Sequence, residues 1–175
     1  MTILILGGSA SGKSGIAEDI ICALCSSQKY YVATMNVGDD EENIGRVARH
    51  REQRREKNFV TIECPRNIEN ALTEMDTNKN VLLECVSNLA ANEMFFGAQI
   101  ISAEDTVNRV VNGIKALSKE CDNLVIVSNN IFESGFEYDE STRSYIRALG
   151  RINRELIDVS DEAYEAVVGI KVRIK

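Results

Sequence analysis

At 175 residues, 44% apolar and 27% charged, the chain is large enough to bury one proper core and ordinary enough in composition to exclude a disordered or fibrous class. Its formal net charge of −7 argues against nonspecific nucleic-acid binding, which relies on basic surface. No apolar run approaches the ~20 residues of a membrane helix, and the first residues lack the basic start and cleavage site of a signal peptide, so we expect a cytoplasmic protein with no membrane insertion.

The elements follow in chain order. Thr2–Leu6 reads as a buried strand, and Ile16, Ala17, Ile20, Ile21 and Leu24 mark a helix soon after it. Further strands are expected at Lys29–Thr34, Val60–Glu63, Asn80–Cys85 and Asn123–Ser128. A last one is expected over Ala163–Lys171, continuing or pairing to Ile174. Between them, Val107, Val110, Val111, Ile114 and Leu117 repeat at helical spacing, opened by Ser102 with Asp105 three residues on. A second amphipathic stretch runs from about Ser141 to Val159. Continuous apolar strands suit a sheet covered on both faces. Strand alternating with helix predicts an α/β fold with a mainly parallel central sheet flanked by helices. Pro65 is the single proline, and no linker or internal repeat is visible, so residues 1–175 are expected to form one nucleotide-binding domain.

Gly7-Gly8-Ser9-Ala10-Ser11-Gly12-Lys13-Ser14 fits the P-loop pattern, between a strand and a helix as that motif requires. Glycines let the backbone turn several N–H groups toward one phosphate, and the following helix start adds partial positive charge. Lys13 would reach the β- and γ-phosphates, and the Ser14 hydroxyl would ligate Mg²⁺. Such a site also needs an acid at the end of a neighbouring buried strand. Glu84, after four apolar-rich positions, supplies it as the second metal-side residue.

His50 is the only histidine, and it stands within Arg46-x-x-Arg49-His50-Arg51-x-x-Arg54. On a helix, Arg46, His50 and Arg54 share a face. Flanking guanidiniums disfavour protonation of the imidazole, which leaves a neutral nucleophile beside groups that bind phosphate. The same residues also suit a solvated basic helix face with an incidental histidine. Among smaller signals, Cys22-x-x-Cys25 lacks further clustered ligands and reads as helix packing rather than a metal site. Met94, Phe95 and Phe96 read as core packing or a subunit contact.

Together these motifs mark a resemblance. The P-loop, Tyr31-Val32-Ala33-Thr34, Asp39-Asp40-Glu41, the His50 segment, Thr61–Pro65, Leu82–Cys85 with Asn92, Val127-Ser128-Asn129, Gly150-Arg151-x-Asn153 and Val167–Lys175 run nearly end to end. The chain resembles the bifunctional adenosylcobinamide kinase/adenosylcobinamide-phosphate guanylyltransferases of cobalamin biosynthesis. The resemblance implies a RecA-like P-loop NTPase fold, a homotrimer, and ATP, GTP and a cobinamide as substrates. It implies catalytic roles for Lys13 and His50, the latter carrying GMP covalently between GTP and the cobinamide phosphate. It places nucleotide contacts on the P-loop, on Thr34, Met35 and Asn36, on Arg51, Glu52, Gln53 and Arg54, and on Glu63 and Glu84. The pattern departs from the family after Asn129, where a typical Glu-Val-Gly is replaced by Asn130-Ile131-Phe132 and the stretch to Tyr138 differs. That departure leaves two other readings open: a P-loop phosphotransferase with another acceptor, and a noncatalytic nucleotide-binding regulatory module.

Overall fold

The computed structural model describes residues 1–36, 57–97, 100–130 and 138–175. Strand β1 (Thr2–Gly7) leads through the glycine-rich loop into α1 (Lys13–Leu24), followed by β2 (Lys29–Ala33). After β3 (Phe59–Glu63) comes a 3-10 helix (Ile68–Glu74), then β4 (Asn80–Glu84) and α2 (Val86–Met94). Then follow α3 (Ala103–Glu120), β5 (Asn123–Asn129), α4 (Glu140–Val159), β6 (Glu162–Val167) and β7 (Ile170–Arg173). Among the described residues the strands make a seven-stranded sheet in the order β3-β2-β4-β5-β1-β6-β7. All neighbours run parallel except β7, which returns antiparallel to β6. This is the expected α/β fold with a mainly parallel sheet.

Alternation along the strands sorts the core into two layers. Leu4, Val81, Leu83, Leu124 and Ile126 pack with Val107, Val110, Ile114 and Leu117 of α3 and Leu149, Ile152 and Leu156 of α4. The intervening Ile3, Ile5, Leu82, Val125 and Val127 pack with Ala17 and Ile21 of α1. Because both faces are covered, the central strands read as unbroken apolar runs. Helix α3 begins as its sequence predicts: the Ser102 hydroxyl accepts from the Asp105 N–H at 3.1 Å. Helix α4 starts one residue before the expected Ser141, because the Asp139 carboxylate accepts from the Thr142 N–H at 2.7 Å and caps it. Gly113 on α3 packs closely on the 3-10 helix: a Cβ there would lie 2.7 Å from Ile68 Cγ2 and 2.8 Å from Glu69 Oε2, so those side chains would have to shift.

Three readings are corrected or sharpened. The last expected strand is two strands: the chain turns at Val168 and Gly169, both at positive φ (47° and 82°), and β7 pairs back on β6. Positive φ at both turn residues matches the right-handed twist of the flanking strands. Of the cysteine pair, Cys22 is half-buried on α1, but Cys25 lies beyond the helix end and is only half-buried. In the aromatic knot, Met94 is fully buried while Phe95 and Phe96 are exposed, with the Arg66 guanidinium 3.5 Å from the Phe96 ring centroid. No helix among the described residues is long and apolar enough to cross a membrane.

Candidate active site

Six parallel strands in register bring their carboxyl ends to one edge of the sheet. The loop after β1 and the ends of β2, β3, β4 and β5 therefore meet there, where open α/β sheets bind ligands. Gly7, the last residue of β1, is level with Asn129 of β5 and Ala166 of β6.

The glycine-rich loop is tightly wound. A Cβ on Gly7 would fall 2.4 Å from Ser11 Oγ and 3.0 Å from the Ala166 carbonyl oxygen, so a side chain there would displace Ser11 and press on β6. Ala10 and Gly12 take left-handed backbone conformations (φ 56° and 88°). The Ser11 N–H donates to the Gly8 carbonyl at 3.3 Å. Lys13 folds back over the loop, and its Nζ donates to the same carbonyl at 2.9 Å. Helix α1 starts at Lys13 with no side-chain cap and no acid in its first turn. Among the described residues its first N–H groups have no side-chain partner, the arrangement in which a helix start can receive an anion.

Glu84 closes the other side. Ser14 Oγ, on the first turn of α1, donates to Glu84 Oε1 at 2.5 Å. The Tyr31 hydroxyl of β2 donates to Glu84 Oε2 at 3.1 Å and so fixes the carboxylate from behind. Tyr31 is in turn held edge-on to Phe59 at 6.3 Å. The strand order sets β5 between β1 and β4, so the carboxylate reaches across one strand to meet the helix start. A hydroxyl and a carboxylate side by side are hard oxygen donors, the class that Mg²⁺ takes when phosphates and water complete its shell.

Thr34 does different work from its neighbours. It is fully buried. Its hydroxyl donates to the Cys85 carbonyl and accepts from the Cys85 N–H, both at 2.7 Å. Its own N–H donates to the Glu84 carbonyl at 3.0 Å. Its carbonyl accepts from Asn92 Nδ2 at 2.7 Å, and Asn92 also donates to the Pro65 carbonyl at 3.0 Å. This clasp ties the ends of β2, β3 and β4 together beside Glu84. Met35 is half-buried and Asn36 exposed. Glu63, also exposed, ends β3 level with Ala33. His50, Arg51, Glu52, Gln53 and Arg54 lie outside the described residues, as do Asp39–Glu42 and Arg46.

A family model described as cobinamide kinase / cobinamide phosphate guanyltransferase (CobU) matches residues 3–174. The chain belongs to the CobU family. Curated relatives match over all or nearly all of their length. A bifunctional adenosylcobalamin biosynthesis protein CobU of Escherichia coli K12 is 31% identical, with all of both chains covered. The protein of the same name from Salmonella typhimurium LT2 is 29% identical, again over all of both chains. A bifunctional adenosylcobalamin biosynthesis protein CobP of Pseudomonas aeruginosa PAO1 is 26% identical, covering all of this chain and 98% of its own.

Within this CobU-family fold, the P-loop of the family is the Gly7–Ser14 loop between β1 and α1. Sequence reasoning gave no structural role to a second polar cluster next to it. Asn129 Nδ2, at the end of β5, donates to Ser87 Oγ at 2.7 Å, and Ser87 Oγ lies 3.0 Å from the Cys85 thiol. Asn153 of α4 donates to the Asn129 carbonyl at 3.1 Å and accepts from Ser128 Oγ at 2.6 Å. The Tyr145 hydroxyl donates to the Ser87 carbonyl at 3.0 Å. Burial pushes that phenol up to about 12. The resemblance flagged Asn129 and Asn153 by motif alone; their pairing joins residues 24 apart in the chain, which no local pattern reveals. Glu93 has a role that the residue pattern does not assign. It is 2% exposed, accepts from the Asn67 N–H at 2.6 Å, and lies 3.5 Å and 3.6 Å from the guanidiniums of Arg66 and Arg109. The one available signal was an acid inside the apolar run "LAANEMFF".

Proposed function

We propose that this chain phosphorylates the aminopropanol hydroxyl of a cobinamide and then joins GMP to the resulting phosphate. In the first reaction the P-loop N–H groups and Lys13 hold the β- and γ-phosphates of ATP or GTP. The acceptor hydroxyl attacks the γ-phosphorus, and the bond to the β-phosphate oxygen breaks. Ser14 and Glu84 would hold Mg²⁺, directly and through its water shell. The ion would neutralise charge on the transferring group. In the second reaction a ring nitrogen of His50 attacks the α-phosphorus of GTP and pyrophosphate leaves. The cobinamide phosphate oxygen then displaces the histidine, which frees the ring for another cycle. Arg51 and Arg54, with Glu52, Gln53, Met35, Asn36 and Glu63, are the residues we assign to the guanine nucleotide. We further propose a cytoplasmic homotrimer formed of single-domain chains.

The observation that supports this reading most is the Ser14–Glu84 contact at 2.5 Å, on an uncapped helix start behind a wound glycine loop. That arrangement suits a metal–triphosphate ligand. The test is intact-mass analysis after incubation with GTP and Mg²⁺. The expected result is an acid-labile GMP adduct on the wild-type protein and none on His50→Ala. Absence of the adduct from folded wild-type protein would leave only the kinase half. If His50→Ala forms it equally well, another residue is the nucleophile.

A further inference from the structure

The β6–β7 turn is built against the phosphate loop. The Gly169 N–H donates to the Ser11 carbonyl at 2.8 Å. A Cβ on Gly12 would lie 3.2 Å from Gly169 Cα, so the two backbones touch with nothing between them. One residue earlier, Val168 holds φ 47° while 86% exposed. A β-branched side chain rarely takes that conformation, and Val-Gly is not among the pairs that favour such a turn. The turn's own sequence therefore does not account for its shape, and contacts outside it must fix it. The phosphate loop supplies them. Further back along β6, the Ala166 carbonyl lies 3.0 Å from where a Gly7 Cβ would be. Asn130 adds a bracket, donating its N–H to the Gly7 carbonyl at 3.0 Å and its side-chain amide to Glu165 Oε1 at 3.3 Å.

Peptide planarity makes this contact directional. The Ser11 carbonyl and the Gly12 N–H belong to one trans peptide and point opposite ways. Holding the carbonyl toward the hairpin aims the Gly12 N–H away from the hairpin. We propose that Gly169 is a positioning residue: its N–H orients the Ser11–Gly12 peptide so that the loop is set for phosphate before nucleotide arrives. This rests on the reading of Gly7–Ser14 as the triphosphate site. The left-handed conformation at Gly169 presents the N–H to Ser11, and its side-chain direction is open, with nothing within 4 Å. Asparagine, which tolerates that conformation, should therefore substitute, and valine should not.

The experiment measures binding of N-methylanthraniloyl-labelled GDP and ADP, with Mg²⁺, to wild type, Lys13→Ala, Gly169→Asn and Gly169→Val. Melting temperatures are taken without nucleotide. Gly169→Val is expected to raise Kd about tenfold, and Gly169→Asn to bind as wild type does. A purely structural glycine would move the melting temperature and leave Kd alone. Coupling is reciprocal, so nucleotide should also slow amide exchange at Gly169 in the wild-type protein. That arm needs no variant to fold. Equal Kd for folded Gly169→Val and wild type, or unchanged exchange at Gly169 on nucleotide saturation, overturns the inference alone. Wild type and Lys13→Ala binding alike would instead overturn the triphosphate-site reading, and this inference with it.

Discussion

Two clusters sit side by side at the carboxyl edge of the sheet, and they are built on opposite terms. In the Thr34 clasp the hydroxyl, the N–H and the carbonyl of one buried residue all have partners inside the chain. In the phosphate loop, Lys13 and Ser14 have stand-in partners, a loop carbonyl and a carboxylate, and the helix start has no cap. Burying a polar group costs free energy unless it is satisfied, so the first cluster stabilises the fold. The second keeps its donors half-exposed, where a phosphate can take them over without leaving a buried group unpaired. On the proposed reading, adjacent residues are thus divided between holding the edge together and holding a ligand.

This contrast can be broken by mutation. Lys13→Ala should lower nucleotide-dependent turnover by about a thousandfold and leave the melting temperature of the ligand-free protein unchanged; a large loss of stability would erase the distinction. Thr34→Val should do the reverse. It keeps the shape of the side chain but strands the Cys85 N–H and carbonyl, at a cost of about 3 kcal/mol in urea unfolding. Nucleotide affinity of the folded fraction should not change. A Thr34→Val protein of normal stability and weakened nucleotide binding would return Thr34 to the ligand-contact role that the family resemblance implies. The smallest effect is expected for Glu84→Gln, which should raise the Mg²⁺ concentration for half-maximal turnover about tenfold. Mg²⁺ titration of the turnover rate checks it, and an unchanged midpoint would make Glu84 part of the structural edge.

What the sequence discloses follows from how local the physics is. The Gly7–Ser14 loop is legible because its glycines, lysine and serine are adjacent and each type is dictated by phosphate chemistry. Glu84 is legible because a charge ending an apolar strand stands out. The cap of α3 is readable from Ser102 and Asp105, three residues apart. The Thr34 clasp is not, since its partner Cys85 is 51 residues away and threonine ending a strand is unremarkable. The β6–β7 hairpin hides for another reason. Val168 and Gly169 lack the Asn-Gly or Asp-Gly signature, so the pattern alone leaves open whether the strand continues to Ile174 or turns and pairs, and only the fold shows that it pairs. Glu93 is concealed by its own solution: two arginines from distant segments make a buried carboxylate tolerable.

Gly113 shows how far the reach of a missing side chain extends. Even a methyl group there would press on the Ile68 side chain and displace the Glu69 carboxylate of the 3-10 helix. The segment leading into that helix carries Pro65, whose carbonyl shares Asn92 with the clasp, and Asn67, whose N–H is tied to Glu93. A protein engineer adding bulk at this buried position would thus strain a contact whose effects reach a layer away, to the carboxyl edge of the sheet.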